Sequence, residues 1–444
     1  MTTEPKLQPV EDESFDDFNP GLVRLLAIAA IAGILVGAIG GAFHWLLDLG
    51  LPWFLGWTHS LRDSAPAWLP AWLIAMVVAG LSIGLARYLV KFAPQASGSG
   101  VQHIEAVMRN QATPAPGGAL LVKFFGGLLA MVPGMALGRE GPTIQMAAVI
   151  GSLCGKFFRL PKVDQSLLYA SVAGCGLSVA FNAPVAGIIF VIEEVAKRIS
   201  VRQVLVTVIA VVTGITVYRY LFGGKLIFSV SGIVEPKAFE LLFYLLLGLI
   251  MGALGVFYNS CILFGLNRFT ETAPNAKPWI KAGIIGTLIG LLGYVLPDSV
   301  GGGEHQVNVL LAGQFSLQTL LALLVIRWLL GPLSYSAGTP GGLFAPLLLT
   351  GSILGALFAI LINTTSGLAL DPAAFALVAM SAFFTGIVRA PLTGILLICE
   401  MSGTVTLMLP LLLSSVGAMV TASLLRGEPI YDSLRERMLL AGTK

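Results

Sequence analysis

Residues 138–155 read GREGPTIQMAAVIGSLCG, and residues 338–355 read GTPGGLFAPLLLTGSILG. Gly138, Gly141, Gly151, Ser152 and Gly155 of the first stretch return as Gly338, Gly341, Gly351, Ser352 and Gly355 of the second, at a constant offset of 338 − 138 = 200. A second pair follows it. Asn182-Ala183-Pro184-Val185-Ala186-Gly187 matches Arg389-Ala390-Pro391-Leu392-Thr393-Gly394 at an offset of 390 − 183 = 207, and each run ends in a glutamate, Glu193 and Glu400. A weaker match sets Gly98-Ser99-Gly100 against Gly301-Gly302-Gly303. Single glycine matches mean little in a chain with 52 Gly. Three segments in one order at nearly one offset mark an internal repeat, with halves at about 20–225 and 238–425.

The repeated material lies in lipid. Of 444 residues, 56% are hydrophobic and 11% charged, and the mean hydropathy is +0.88, which no ordinary soluble domain matches. Apolar blocks at Leu22–Leu47, Trp68–Val90, Leu241–Phe264 and Gly283–Leu296 approach or exceed the roughly 20 helical residues that cross a hydrocarbon core. Lipid leaves only helices or a closed barrel. Continuous rather than alternating apolar runs select helices, hence an all-α polytopic membrane protein. The 52 Gly and 24 Pro predict tightly packed and interrupted helices, and interruption within the membrane is tolerated where protein or a water-filled cavity surrounds it.

Composition also excludes classes of function. A net charge of +3 with scattered basic residues gives no nucleic-acid footprint. Cys154, Cys175, Cys261 and Cys399 lack CxxC spacing and read as buried thiols rather than disulfides or a metal site. His44, His103 and His305 flank predicted spans without ligand spacing, so interface or capping roles are expected of them and neither metal nor cofactor is implied. No HExxH, GxSxG or paired intramembrane aspartates point to an enzyme. Residues 1–20 are acidic without a basic n-region and read as a short cytoplasmic tail, not a cleaved signal. Residues 21–425 are expected to form one transmembrane domain and 426–444 a C-terminal tail. Lys156, Arg159, Lys162, Lys197, Arg198, Arg202, Arg426, Arg435 and Arg437 put both termini of a multi-pass cell-membrane protein on the cytoplasmic side.

A glycine-rich turn leading into a helix presents free amides and the positive end of the helix dipole, which together favour an anion. The chain has three such turns: Ser97-Gly98-Ser99-Gly100-Val101, Gly138-Arg139-Glu140-Gly141-Pro142, and Gly338 to Pro346. Corresponding interruptions in two halves place a site near the bilayer midplane. These turns resemble the GSGIP, GREGP and GGIFAP signatures of the CLC chloride channel and transporter family, and the likeness extends from about Leu22 to Tyr431. Gln102 stands where the family usually has proline, and Leu343 replaces an isoleucine. The resemblance implies a CLC-type fold of two inverted-topology repeats with tilted and broken helices. It also implies a prokaryotic-type chloride/proton antiporter without appended regulatory domains, built as a homodimer with one pathway per subunit. By this likeness the Ser99 hydroxyl, the Tyr431 phenol and the amides of Leu343 and Phe344 contact the central anion, with Gly98, Gly100, Gly138, Arg139, Gly141 and Gly342 shaping the helix starts. Hydroxyls and amides suit a dehydrated halide, because they bind it without a full counter-charge. By position alone Tyr431 would be an ordinary tail residue.

Glu140 is costly beside an anion path and needs a reason. One reading is a salt bridge to adjacent Arg139. The reading the resemblance supports is a gate, in which the ionised side chain takes an anion position and protonation withdraws it. Burial and neighbouring anions both favour the protonated form of a carboxyl. Glu193 and Glu194 could be a charged helix end. The resemblance instead makes Glu194 the internal proton acceptor, a position that is typically apolar in channel members. Glu193 has a repeat partner in Glu400, whereas Glu194 aligns with Met401, so Glu193 reads as architectural and Glu194 as specialised. Arg389 is expected at a helix end, and Arg327 is expected to snorkel or to pair with a carboxylate. Three alternatives accompany the antiporter: a passive, voltage-gated-type chloride channel on the same scaffold, and a nitrate or a fluoride path, both of which Ser99 argues against.

Overall fold

The computed structural model describes residues 20–64, 70–197, 199–230 and 232–442. The tail expected over residues 1–20, apart from Pro20, lies outside them, as do Trp68 and Arg198. The first half runs through α1 (Pro20–Ser64), α2 (Ala71–Leu89), α3 (Val101–Met108), α4 (Gly118–Met131), α5 (Glu140–Phe157), α6 (Lys162–Phe181), α7 (Pro184–Phe190) and α8 (Val201–Phe222). The second runs through α9 (Glu240–Glu271), α10 (Pro278–Val295), α11 (Glu304–Leu311), α12 (Leu317–Ser336), α13 (Phe344–Ser366), α14 (Pro372–Val388), α15 (Pro391–Ser402) and α16 (Met408–Leu424), and α17 (Ile430–Gly442) follows. Among the described residues, seven helices are long and apolar enough to cross a membrane. Large apolar side chains such as Leu81, Leu242, Val325 and Leu329 are exposed on their outer faces, as lipid contact requires.

The halves are inverted-topology repeats, and the packing repeats with them. The pairs α1–α8, α5–α6 and α6–α7 recur as α9–α16, α13–α14 and α14–α15. Small residues make the first of these possible. A Cβ on Gly33 or Gly37 would stand 2.3 Å from the carbonyl oxygens of Ala210 and Gly214, and one on Gly248 or Gly252 would stand 2.1 and 2.4 Å from those of Ser414 and Ala418. Helices without side chains at these points approach backbone to backbone, which is how spans associate when lipid is as apolar as leucine. The expected block Leu22–Leu47 is longer in the structure. It belongs to a 45-residue helix that carries Pro52 inside it.

One helix break organises each half. Asn182 and Arg389 end α6 and α14 in the left-handed conformation, at φ +50° and +72°, and Pro184 and Pro391 open α7 and α15, where a missing N–H costs nothing. The breaks are stitched across the repeats. Glu400, at the end of α15, accepts hydrogen bonds from the amides of Val185 and Ala186 at 3.0 and 2.8 Å. Glu193 accepts from those of Leu392 and Thr393 at 3.1 and 2.8 Å and from the Thr393 hydroxyl at 2.8 Å. Each glutamate thus satisfies the orphan amides that begin the other half's broken helix. Glu400→Ala should therefore lower the apparent melting temperature in detergent, with a loss of about 1–2 kcal/mol, and conservative Glu400→Gln should lower it less.

The structure corrects two expectations. Arg327 neither snorkels nor meets a carboxylate: it is buried on α12, and its guanidinium donates to the carbonyls of Gly301 at 2.6 Å and Val300 at 3.1 Å. Carbonyls of a glycine-rich turn that point into the protein need donors, and a buried cation supplies them. Lys123 on α4 does the same for Gly98 and Ser99, at 2.6 and 3.0 Å. The two bases are repeat mates, since 327 − 123 = 204 and 301 − 98 = 203. His44, expected at an interface, is buried within α1 and shares a 2.9 Å hydrogen bond with Thr143 of α5.

Candidate functional site

Three glycine-rich turns from distant parts of the chain meet between the repeats and bond to one another. The Gly98 amide donates to the Thr339 carbonyl at 3.2 Å, and the Gly341 amide donates to the Gly98 carbonyl at 3.1 Å. Gly138 and Gly342 exchange a reciprocal pair at 2.9 and 2.7 Å. From this junction α3 begins at Val101, α5 at Glu140 and α13 at Phe344. The turns spend some amides on each other, and the helix starts keep others for a ligand.

Glu140 lies in the slot so formed. Its Oε1 accepts the Phe344 amide at 2.7 Å, while its Oε2 has no hydrogen-bond partner. Glycine is required on both sides of the carboxylate. A Cβ on Gly138 would come within 2.0 Å of Oε2, and one on Gly342 within 2.0 Å of Oε1. Gly141 packs on the third turn, where a Cβ would meet the Ser99 Oγ at 2.6 Å and the Ser99 and Gly342 Cα atoms at 2.9 Å. The carboxylate therefore rests on a helix-start amide, the kind of group that would hold an anion.

The two hydroxyls expected to contact an anion lie near the Glu140 slot. Ser99 and Tyr431 are fully buried, and their hydroxyls approach each other with no other hydrogen-bond partner. The Tyr431 phenol also lies in electrostatic reach of Glu140 and Glu194. Buried hydroxyls are rarely left unpaired, and two facing the same place are apt for an anion that accepts from both. The Phe344 ring packs against Phe181, Phe190, Phe384 and Tyr431 with centroids 4.7–6.3 Å apart. This apolar collar and buried Leu343 surround the polar atoms with a low-dielectric wall. Gly100 sits at φ +93° before α3 with its amide donated to the Gln102 side chain at 3.1 Å. Gln102, in place of the proline, thus ties its own turn.

Two expected site residues lie apart from the slot. Arg139 does not pair with Glu140. It turns to Asp48 of α1 at 3.0 Å and to Glu304, the first residue of α11, and lines a cavity of about 800 Å³ together with them, Lys225 and His305. Glu194 is buried on a π-helical turn over Val191–Val195, a distortion common at functional positions. It faces Glu105 of α3. Sequence reasoning missed Tyr335, whose hydroxyl accepts the Ser99 amide at 3.4 Å, and Lys123. The repeat offset applied to Arg327 would have found Lys123, whereas nothing in the local sequence marks Tyr335.

Inverted repeats that bring broken helix starts to one buried slot define a multi-pass ion-transport protein. The chain belongs to the voltage-gated chloride channel family, whose model matches residues 79–423. It is 36% identical over 433 residues to the H(+)/Cl(-) exchange transporter ClcA of Vibrio campbellii, covering 95% of this chain and 91% of that one. It is 37% identical over 426 residues to the transporter of the same name from Yersinia pseudotuberculosis, covering 94% and 88%. Among solved structures it matches a slow cyanobacterial Cl−/H+ antiporter with a TM-score of 0.88 at 32% identity, over 95% of this chain and 99% of that one. A CLC-type fluoride/proton antiporter shares the fold, with a TM-score of 0.73 at 20% identity over 92% and 97%.

Proposed function

We propose that this chain exchanges chloride for protons across the membrane, with Glu140 as the protonatable gate and Glu194 as the internal proton acceptor. The observation that carries this reading is the Glu140 carboxylate bonded to the Phe344 amide at 2.7 Å, beside the fully buried hydroxyls of Ser99 and Tyr431. Carboxylate and chloride both accept from such donors, so they compete for one place. When Glu140 takes a proton it loses the charge that holds it there, and chloride replaces it. Each exchange of occupant thus moves a proton on or off the same side chain. The names of the exchange-transporter relatives support coupling over passive conduction.

In this reading, Glu194 delivers protons from the cytoplasmic side, and the residues around Arg139 form the external approach. Both termini face the cytoplasm, following the basic loops. The chain acts as a homodimer in lipid, with a separate pathway in each subunit.

The deciding measurement uses purified protein in liposomes. A chloride gradient should drive protons uphill; chloride flux without proton movement would replace the antiporter by the channel. Glu194→Gln should cut chloride-driven proton uptake by at least about tenfold, equivalent to about 1.4 kcal/mol in a rate, while chloride flux continues. Undiminished proton uptake in that variant removes Glu194 from the path.

A further inference from the structure

Helix α17 follows the sixteen helices of the repeats and packs on α3. It carries Tyr431, and four residues later, one turn along the same face, it carries Arg435. Arg435 is 5% exposed. Its guanidinium donates to Glu105 Oε2 at 2.9 Å and to Asp432 one turn back. Glu105, 1% exposed on α3, lies beside Glu194, 2% exposed, and Glu105 Oε1 and Glu194 Oε1 are both buried without a hydrogen-bond partner. Around this core stand Lys197, 3.9 Å from both Glu194 and Asp432, and Arg109, 3.1 Å from Asp432. Their side chains are 37% and 40% exposed.

The deeply buried members are therefore two carboxyls and one guanidinium. Two buried carboxylates facing each other repel strongly, and a buried charge persists only when paired. One proton on the carboxyl pair balances the set, and the pair holds it jointly. Arg435 breaks the tie, because it bonds Glu105 at 2.9 Å within the protein, whereas the cation nearest Glu194, Lys197, stands 3.9 Å away with its side chain 37% exposed. With Glu105 held as the carboxylate, the proton stays on Glu194, hydrogen-bonded to Glu105. That proton can leave for Glu140, and water on the cytoplasmic side can replace it.

We propose that Arg435 is a positioning residue for proton transfer: by pairing with Glu105 it keeps the shared proton on Glu194, and it joins that choice to the helix that presents Tyr431 to the anion. The inference rests on the role given to Glu194 above. It assigns to the C-terminal helix a function in coupling as well as in anion contact.

The test measures chloride flux and chloride-driven proton uptake together in liposomes, for Arg435→Leu, Arg435→Lys, Glu105→Gln and the double variant Arg435→Leu/Glu105→Gln. Arg435→Leu should lower the proton-to-chloride ratio at least fivefold, with chloride turnover within twofold of wild type. Arg435→Lys should restore much of the ratio, because it keeps the charge. In the Glu105→Gln background, removing Arg435 should change the ratio no further. An unchanged ratio in Arg435→Leu overturns the proposal, as does an equal drop with and without Glu105. Should Arg435→Leu fail to yield monodisperse protein, the comparison of the double variant with Glu105→Gln decides. The double variant has lost both buried charges together, so equal ratios uphold the proposal and a lower one in the double variant overturns it. Glu194→Gln separates the two levels. Coupling retained there defeats the role of Glu194 itself, whereas coupling lost there but kept in Arg435→Leu defeats only the part given to Arg435.

Discussion

Glu140→Ala protein in liposomes is expected to go on passing chloride while chloride-driven proton uptake falls to that of protein-free vesicles, a loss of at least about tenfold or 1.4 kcal/mol. The geometry sets both halves of that result. Truncation removes the oxygen bonded to the Phe344 amide at 2.7 Å, which frees the donor for an anion. It also removes the Glu140 carboxyl, so no proton can be taken up on it. The glycine walls on either side, at Gly138 and Gly342, remain open to an ion of modest size. Paired chloride-electrode and pH recordings decide the matter. Continued uphill proton movement in Glu140→Ala would place the protonatable gate elsewhere.

One residue further on, the opposite outcome is expected. Gly141→Ala should lose chloride turnover by about a hundredfold, the cost that a misplacement of about 1 Å can impose on a positioned site, and should lose proton movement with it. Its Cβ would stand 2.9 Å from the Cα atoms of both Ser99 and Gly342, and 2.6 Å from the Ser99 hydroxyl. Backbone on two sides cannot yield as a flexible side chain can, so the junction of the three turns must spread, at about 1–3 kcal/mol of overpacking. Ser99 is an anion donor in the proposed function, and its displacement should also weaken chloride binding measured by calorimetry. Gly118→Ala serves as the control, since a Cβ there meets nothing within 4 Å. Equal turnover for the two alanine variants would mean that the three turns do not form the path.

Adjacent substitutions with opposite effects are the sharper signature. Loss of a gate and closure of a channel both abolish proton exchange, and chloride flux tells them apart. A site that was merely a structural junction would respond to both substitutions in the same direction.

Much of this architecture was legible in the sequence. Apolar runs too long for a soluble core, the offset of 200 between Gly138 and Gly338, and prolines following Ala183 and Ala390 depend only on local chemistry. Lipid requires helices, a proline ends one and a glycine turn begins another. The same repeat logic separated Glu193 from Glu194. Glu193 and Glu400 cap each other's halves, while Glu194 has no counterpart.

What the sequence could not express was which distant groups share a place. Arg327 is expected from sequence to snorkel or to meet a carboxylate, because the carbonyls it serves lie 26 residues away. Adjacency leaves a salt bridge from Arg139 as one of two readings of Glu140. The backbone instead sends the two side chains in different directions, one to Asp48 and Glu304 and the other to the Phe344 amide. By position alone Tyr431 and Arg435 read as tail residues, because Ser99 and Glu105, the groups they reach, precede them by more than 300 positions. Sequence alone determined that this protein crosses a membrane in two related halves whose helices begin at anion-favouring turns. Tertiary structure decided that those turns close on Glu140 and that the last helix reaches both Ser99 and Glu105, because burial and pairing of charge depend on distance in space.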